Sequence, residues 1–138
     1  MFKKIFLAVD GSESSDRAAK LAADLAKSSD GEVVVFHARE REFAGRAGVV
    51  DLETTTETRE LVDATVRSLK DADVNARGDV RNALIGTVAR AIVDIAAAEG
   101  ADVIVMGTRG LSDWSGLFLG SVTHRVIHAA EVPVLVTR

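Results

Sequence analysis

The sequence predicts an α/β protein: a doubly wound, five-stranded parallel sheet with helices on both faces. Two observations carry that prediction. Short apolar runs of strand length, such as residues 5–9 and 103–106, alternate along the chain with segments of helical period. Such alternation builds parallel strands joined by right-handed helical crossovers. The same two runs also end in glycine-bearing turns, Asp10-Gly11-Ser12 and Gly107-Thr108-Arg109-Gly110. In open parallel sheets, ligands bind beyond such carboxyl ends, where the strand order reverses.

Taken in order, residues 5–9 form the first predicted strand. Asp10 stands at its carboxyl end, placed to meet a ligand's hydroxyl or amine; the alternative is that Asp10 or Ser12 only caps the next helix. Residues 14–29 are predicted helical, because Ala18, Leu21, Ala22 and Leu25 share one face. Ser14 or Ser15 supplies a cap, and Asp30-Gly31 a stop. Residues 33–36 are the second buried strand, ending at His37-Ala38. Ala38 is small enough for a flat ring to lie against the backbone. His37 reads as a strand-end residue with a satisfied ring rather than as a catalyst.

Residues 39–53, REREFAGRAGVVDLE, break the periodicity and read as a solvated connecting loop. The alternative is a lid whose Arg39, Arg41 and Arg46 reach a polyphosphate. Residues 54–72 are the second predicted helix, with Val62, Val66 and Leu69 on one face. Residues 74–80 carry polar groups at alternate places and read as an edge strand. Residues 85–99 form the third helix, ended by Gly100; residues 103–106 form the fourth strand. A helix over 122–130 and a last strand over 132–136 complete the chain, with the single proline, Pro133, at the strand's start.

Between the fourth strand and the fourth helix lie Gly107 and Gly110, then nine residues, then Gly120-Ser121. Strand, glycine loop and helix start, in that order, suit an anion such as phosphate. Glycine lets the backbone come close, and the helix start offers free N–H groups and the positive end of its dipole. Ser121 can cap that helix or donate its hydroxyl to a phosphate oxygen. The spacing is neither the dinucleotide fingerprint nor the Walker pattern. Spacing alone leaves open a loop that only turns the chain.

Composition narrows the function classes. A chain of 138 residues, 47% hydrophobic and 28% charged, suits a single globular domain spanning residues 1–138. No apolar run reaches the ~18–20 residues of a membrane span. The run after Lys3-Lys4 is too short for a signal peptide and is interrupted by Asp10-Gly11. The chain has no cysteine, which removes disulfide and thiolate chemistry and suits the cytoplasm. A net charge of -4 argues against broad nucleic-acid binding. His124 and His128 have half of a metal site's spacing but no evident third ligand.

With these elements placed, the chain resembles the universal stress proteins, in their ATP-binding subclass, over its whole length. The resemblance rests on Ile5-Phe6-Leu7-Ala8-Val9-Asp10-Gly11-Ser12, Val35-Phe36-His37-Ala38 and residues 102–110, DVIVMGTRG. Gly120-Ser121-Val122-Thr123 and Val132-Pro133-Val134-Leu135-Val136 complete it. It implies an adenine nucleotide alpha hydrolase-like fold with strand order 3-2-1-4-5. It implies that Asp10 and Ala38 hold the adenine and ribose of ATP, with Gly11 and Ser12 counted beside them. Met106, Gly107, Arg109 and Gly110 would line the path to the phosphates. Gly120, Ser121 and Val122, with Thr123 as a weaker addition, would receive them.

The function so implied is an ATP-binding regulatory module of the stress response, with or without Mg²⁺. Dimerisation through residues 132–136 is implied as well. The alternatives are a slow ATPase or phosphotransferase, and a nucleotide-free dimeric interaction protein. No loop lysine and no clearly placed metal carboxylate favours an enzyme. Asp113 lies near the phosphates in sequence with nothing to fix its direction. Trp114, in the same loop, has no assignable role.

Overall fold

The computed structural model describes residues 1–108 and 119–138. Its elements are β1 (Lys4–Ala8), α1 (Glu13–Ser29), β2 (Glu32–Phe43), β3 (Val49–Asp51), α2 (Thr55–Asp71) and β4 (Asn75–Leu84). They continue with α3 (Val88–Ala98), β5 (Val103–Gly107), α4 (Ser121–Ala129) and β6 (Val134–Thr137).

The five predicted strands are present, parallel, in the order β4-β2-β1-β5-β6. A sixth, β3, pairs antiparallel with the far end of β2, so the sheet as a whole is mixed. Strands β1, β2 and β5 are the unbroken apolar runs, and they are the central strands because both of their faces are covered. On one face, Ala18, Ala22 and Ala26 of α1 and Val62 and Leu69 of α2 pack on Ile5, Leu7, Val33, Val35, Val103 and Val105. On the other, Ala89, Ile92 and Ala96 of α3 and Val126 of α4 pack on Phe6, Val34, Phe36, Ile104 and Met106. Phe6 and Phe36 sit 5.2 Å apart between ring centroids at the centre of that second layer. Full burial of each such ring contributes roughly 1.5–3 kcal/mol.

Helix ends follow local chemistry. Ser12 caps α1, its Oγ accepting from the Ser15 N–H at 3.2 Å. At the other end the left-handed residue is Asp30, at φ 49°, and not the predicted Gly31. Gly31 is small for another reason: a Cβ there would lie 2.5 Å from the Phe2 carbonyl oxygen. Thr54 and Glu57 cap α2 reciprocally, at 3.1 Å and 3.0 Å.

The segment expected to be a solvated loop, residues 39–53, is instead a β-hairpin. β2 runs on past the end of β1 to Phe43, turns through a short 3₁₀ helix at Gly45–Ala47, and returns as β3. Arg-Glu-Arg-Glu is a period-two pattern with both faces polar, which a search for apolar alternation does not register. Asp51 holds the hairpin by accepting from Arg39 Nη2 at 2.6 Å and Arg41 Nε at 2.7 Å. Arg41 pairs with Leu84 of β4 on one side and Asp51 of β3 on the other. β3 therefore occupies the line along which β1 would have continued.

Candidate functional site

β1 stops at Ala8 and sends its chain to α1 on one face, while β5 stops at Gly107 and feeds α4 on the other. That divergence opens a crevice at the carboxyl ends of the strands. The crevice holds a cavity of about 650 Å³, within the range usual for small-molecule sites. Its floor is Ala8, Val9, Phe36, Ala38 and Met106. One wall is Ile85, Gly86, Val88, Ala89 and Ile92, at the start of α3. Gly107 also lines it, with Gly120 and with Ser121, Val122, Thr123 and Arg125 of α4. Asp10, Ser15, His37, Glu40, Leu52 and Glu53 complete the lining.

Asp10 reaches this cavity with one carboxylate oxygen already used. Its Oδ1 accepts from the Ser12 N–H at 2.9 Å and the Ser12 hydroxyl at 2.6 Å. These two bonds hold the side chain in one orientation, and the Asp10 backbone N–H donates to Ser15 Oγ at 3.2 Å. Ser12 and Gly11, predicted to stand with Asp10, do not line the cavity. Ser12 acts as cap and as Asp10's anchor, and Gly11 faces Leu61.

His37 is buried and doubly bonded, as its strand-end reading anticipated. Nδ1 lies 2.7 Å from the Val9 carbonyl oxygen and Nε2 2.7 Å from Glu53 Oε2. Both partners are acceptors, so the two bonds need either a proton on each ring nitrogen or one on Glu53. In either arrangement His37 and Glu53 together carry no net charge.

Helix α4 starts on β5. Gly120 donates its N–H to the Thr108 carbonyl at 2.6 Å, and the Thr123 hydroxyl donates to the Gly107 carbonyl at 2.8 Å. Gly120 stands at the N-cap and has no side chain to offer. The N–H groups of Ser121, Val122 and Thr123 therefore meet no capping side chain among the described residues. These are the donors an anion needs. Gly107 is glycine for a separate reason: a Cβ would lie 2.3 Å from Ser14 Oγ and 2.7 Å from the Ser14 carbonyl carbon.

The cavity thus gathers Asp10, Ala38, Met106, Gly107, Gly120, Ser121, Val122 and Thr123 of the residues singled out by sequence. Arg109 and Gly110 lie outside the described residues, as do Asp113 and Trp114. The lid arginines are placed otherwise: Arg39 and Arg41 are bound to Asp51, and neither they nor Arg46 line the cavity. His124 and His128 stack edge to face on the outside of α4, 4.5 Å between centroids. No group of three metal-ligating side chains occurs among the described residues. No helix among them is long and apolar enough to cross a membrane.

Sequence reasoning missed Glu40, Glu53, Ile85 and Arg125. Glu53 and Glu40 come to the cavity through the hairpin, where the Leu52 N–H bonds the Glu40 carbonyl at 3.0 Å; nothing in the sequence announces that meeting. Arg125 had a signal. It is four residues after Ser121, one turn further along the same face of the helix.

Comparison with known proteins gives the same picture. A model of the universal stress protein family matches residues 1–138. A protein of Thermus aquaticus, described as a universal stress protein in the QAH/OAS sulfhydrylase 3' region, is 39% identical over 141 residues, covering 100% of both chains. The structure of a universal stress protein from Archaeoglobus fulgidus superposes with a TM-score of 0.79 at 26% identity, covering 100% of each chain. A universal stress protein solved in complex with cAMP has a TM-score of 0.70 at 26% identity, covering 99% of this chain and 97% of its own. A full-length family match joined to a two-sided crevice at the switch point leaves one assignment: this chain belongs to the universal stress protein family.

Proposed function

We propose that the cavity binds an adenine nucleotide, ATP in the first place, and that the protein acts as a nucleotide-dependent regulatory module of the stress response. The observation that carries this reading is the polarity of the cavity. Its lining combines the N–H groups of an uncapped helix start with the Asp10 carboxylate and the small Ala38. A phosphate suits the first and a sugar hydroxyl the second, with Met106, Phe36 and Ile92 supplying an apolar bed for a base. The cAMP complex of a universal stress protein of similar fold supports an adenine nucleotide as the ligand. ATP, with Mg²⁺ carried on its phosphates or without it, is the form that the family resemblance implies. We place the protein in the cytoplasm as one domain, in keeping with the lack of cysteine, and as a homodimer paired through its C-terminal strand.

Denaturing freshly purified protein and identifying the released nucleotide is the direct test. Calorimetry with ATP then assigns the groups. Asp10→Ala is expected to weaken binding by about 1–3 kcal/mol, the loss of a charge-assisted hydrogen bond. Gly120→Val keeps a backbone conformation open to valine, φ -57° and ψ 150°, but places a side chain where phosphate would approach. Unchanged affinity in both variants would remove the assignment. Steady turnover at the ~1–100 s⁻¹ of dedicated kinases would replace the module by an enzyme.

A further inference from the structure

We propose that Arg125 determines how many phosphates the site accepts, selecting nucleoside di- and triphosphates over monophosphates. This rests on the nucleotide reading and deepens it.

The charge around the cavity poses the problem. Asp10 and Glu40 line it as carboxylates, and His37 with Glu53 contributes no net charge. Arg125 is the one lysine or arginine among the described lining residues. The start of α4 is worth roughly half a unit of positive charge. That suits a single phosphate group, and a polyphosphate tail brings more negative charge than it offsets.

Arg125 lines the cavity one turn into α4, beside that helix start. Helical side chains lean toward the N-terminus, so Arg125 reaches back over the turn that begins at Ser121. Its Nη1 donates to the Gly86 carbonyl at 3.2 Å, across the cavity's edge. Gly86 turns the chain at φ 85° into α3. α3 also begins without a side-chain cap, and the Thr87 hydroxyl donates backward to the Leu84 carbonyl at 2.6 Å. Val88 and Ala89 of that first turn line the cavity too. The guanidinium therefore ties α4 to the Gly86 turn that leads into α3, and both helices contribute to the cavity lining.

Its present bond is a weak one. A neutral carbonyl at 3.2 Å engages one of five guanidinium donors, and Arg125 has no other hydrogen bond among the described residues. A phosphate accepts two such donors at once and carries charge. Exchange of the Gly86 carbonyl for a phosphate oxygen is thus favourable, and it would release the turn between β4 and α3.

The competing account is a brace: Arg125 merely ties α4 to the Gly86 turn. Calorimetry of the full chain with AMP, ADP and ATP separates the two. For Arg125→Ala, ATP affinity should fall about tenfold to a hundredfold while AMP affinity changes less than about threefold. Arg125→Lys keeps the charge and loses the fork, so ATP affinity should fall between wild type and Arg125→Ala; it also serves if the alanine variant folds poorly. Equal losses for AMP and ATP would establish the brace, and unchanged ATP affinity would leave Arg125 without a role; either overturns the proposal. Wild-type protein that binds none of the three nucleotides overturns the nucleotide reading itself, and this inference with it.

Discussion

Glycine at position 107 illustrates how one residue type serves two masters in such a site. Its place in the glycine loop suggests a close approach to ligand, yet the contact that a side chain would violate is with Ser14, at the first turn of α1. The backbone of that turn is within 2.7 Å of the missing Cβ, so little can give way. Gly107→Ala is accordingly expected to cost about 1–3 kcal/mol of folding stability through overpacking. Urea denaturation of ligand-free protein measures it; an unchanged midpoint would return Gly107 to a purely ligand-facing role. Residues at strand ends and helix starts were legible in the sequence because the elements themselves were. Asp10 stands two residues past the end of β1, Met106 one before the end of β5 and Gly120 one before the start of α4. Glu53 was not legible, because its place beside His37 depends on a hairpin that brings two distant backbone stretches together.

Elements differ in how openly they announce themselves. The helices did so through apolar period and caps, and most strands through apolar runs. The hairpin of β2 and β3 did not, because its stability comes from Asp51 shared between two arginines and from β4 extending alongside to Leu84. The α2 cap offers a test at this scale. Thr54→Ala is expected to destabilise the protein by about 1 kcal/mol. The bond from the Thr54 N–H, with the Thr54 side chain adding to it, holds the Glu57 carboxyl below its ordinary 4.5. A group with a lowered folded pKa stabilises the fold above its unfolded pKa, and the stabilisation is lost as pH falls through the folded value. Glu57→Gln retains a side chain able to complete the box but cannot ionise. The stability difference between wild type and Glu57→Gln should therefore be fully present at neutral pH and vanish in acid. Chemical denaturation across that range checks the sign; a difference that persisted in acid would mean that geometry, not charge, sets the cap.

At the scale of the whole molecule, the alternation of elements was enough to specify a parallel doubly wound sheet, since chirality and short connections leave few other arrangements. What alternation does not specify is how the sheet ends. Among the described residues, β6 pairs with β5 along one side only. The Ile104 N–H bonds the Pro133 carbonyl and the Thr108 N–H bonds the Thr137 carbonyl, at 2.9 Å and 2.7 Å. Because a strand residue's N–H and C=O point to the same side, Pro133, Leu135 and Thr137 face β5, and Val134 and Val136 turn their polar groups outward. An edge of this kind, short and apolar, is a template for another strand. A second copy presenting the same edge across a two-fold axis satisfies it, which is the dimer proposed above. Charging Val134 would confuse the test, because that side chain packs against the core layer containing Val126 and Ile104. Val136→Pro is cleaner. It removes an outward N–H that β5 does not use, and by symmetry it removes that donor from both copies. Light scattering over a concentration series should give the mass of two chains for wild type and of one for Val136→Pro, with the variant's circular dichroism unchanged. Wild type that stays at the mass of one chain at high micromolar concentration would remove the dimer, and a Val136→Pro protein that stays paired would move the interface away from β6.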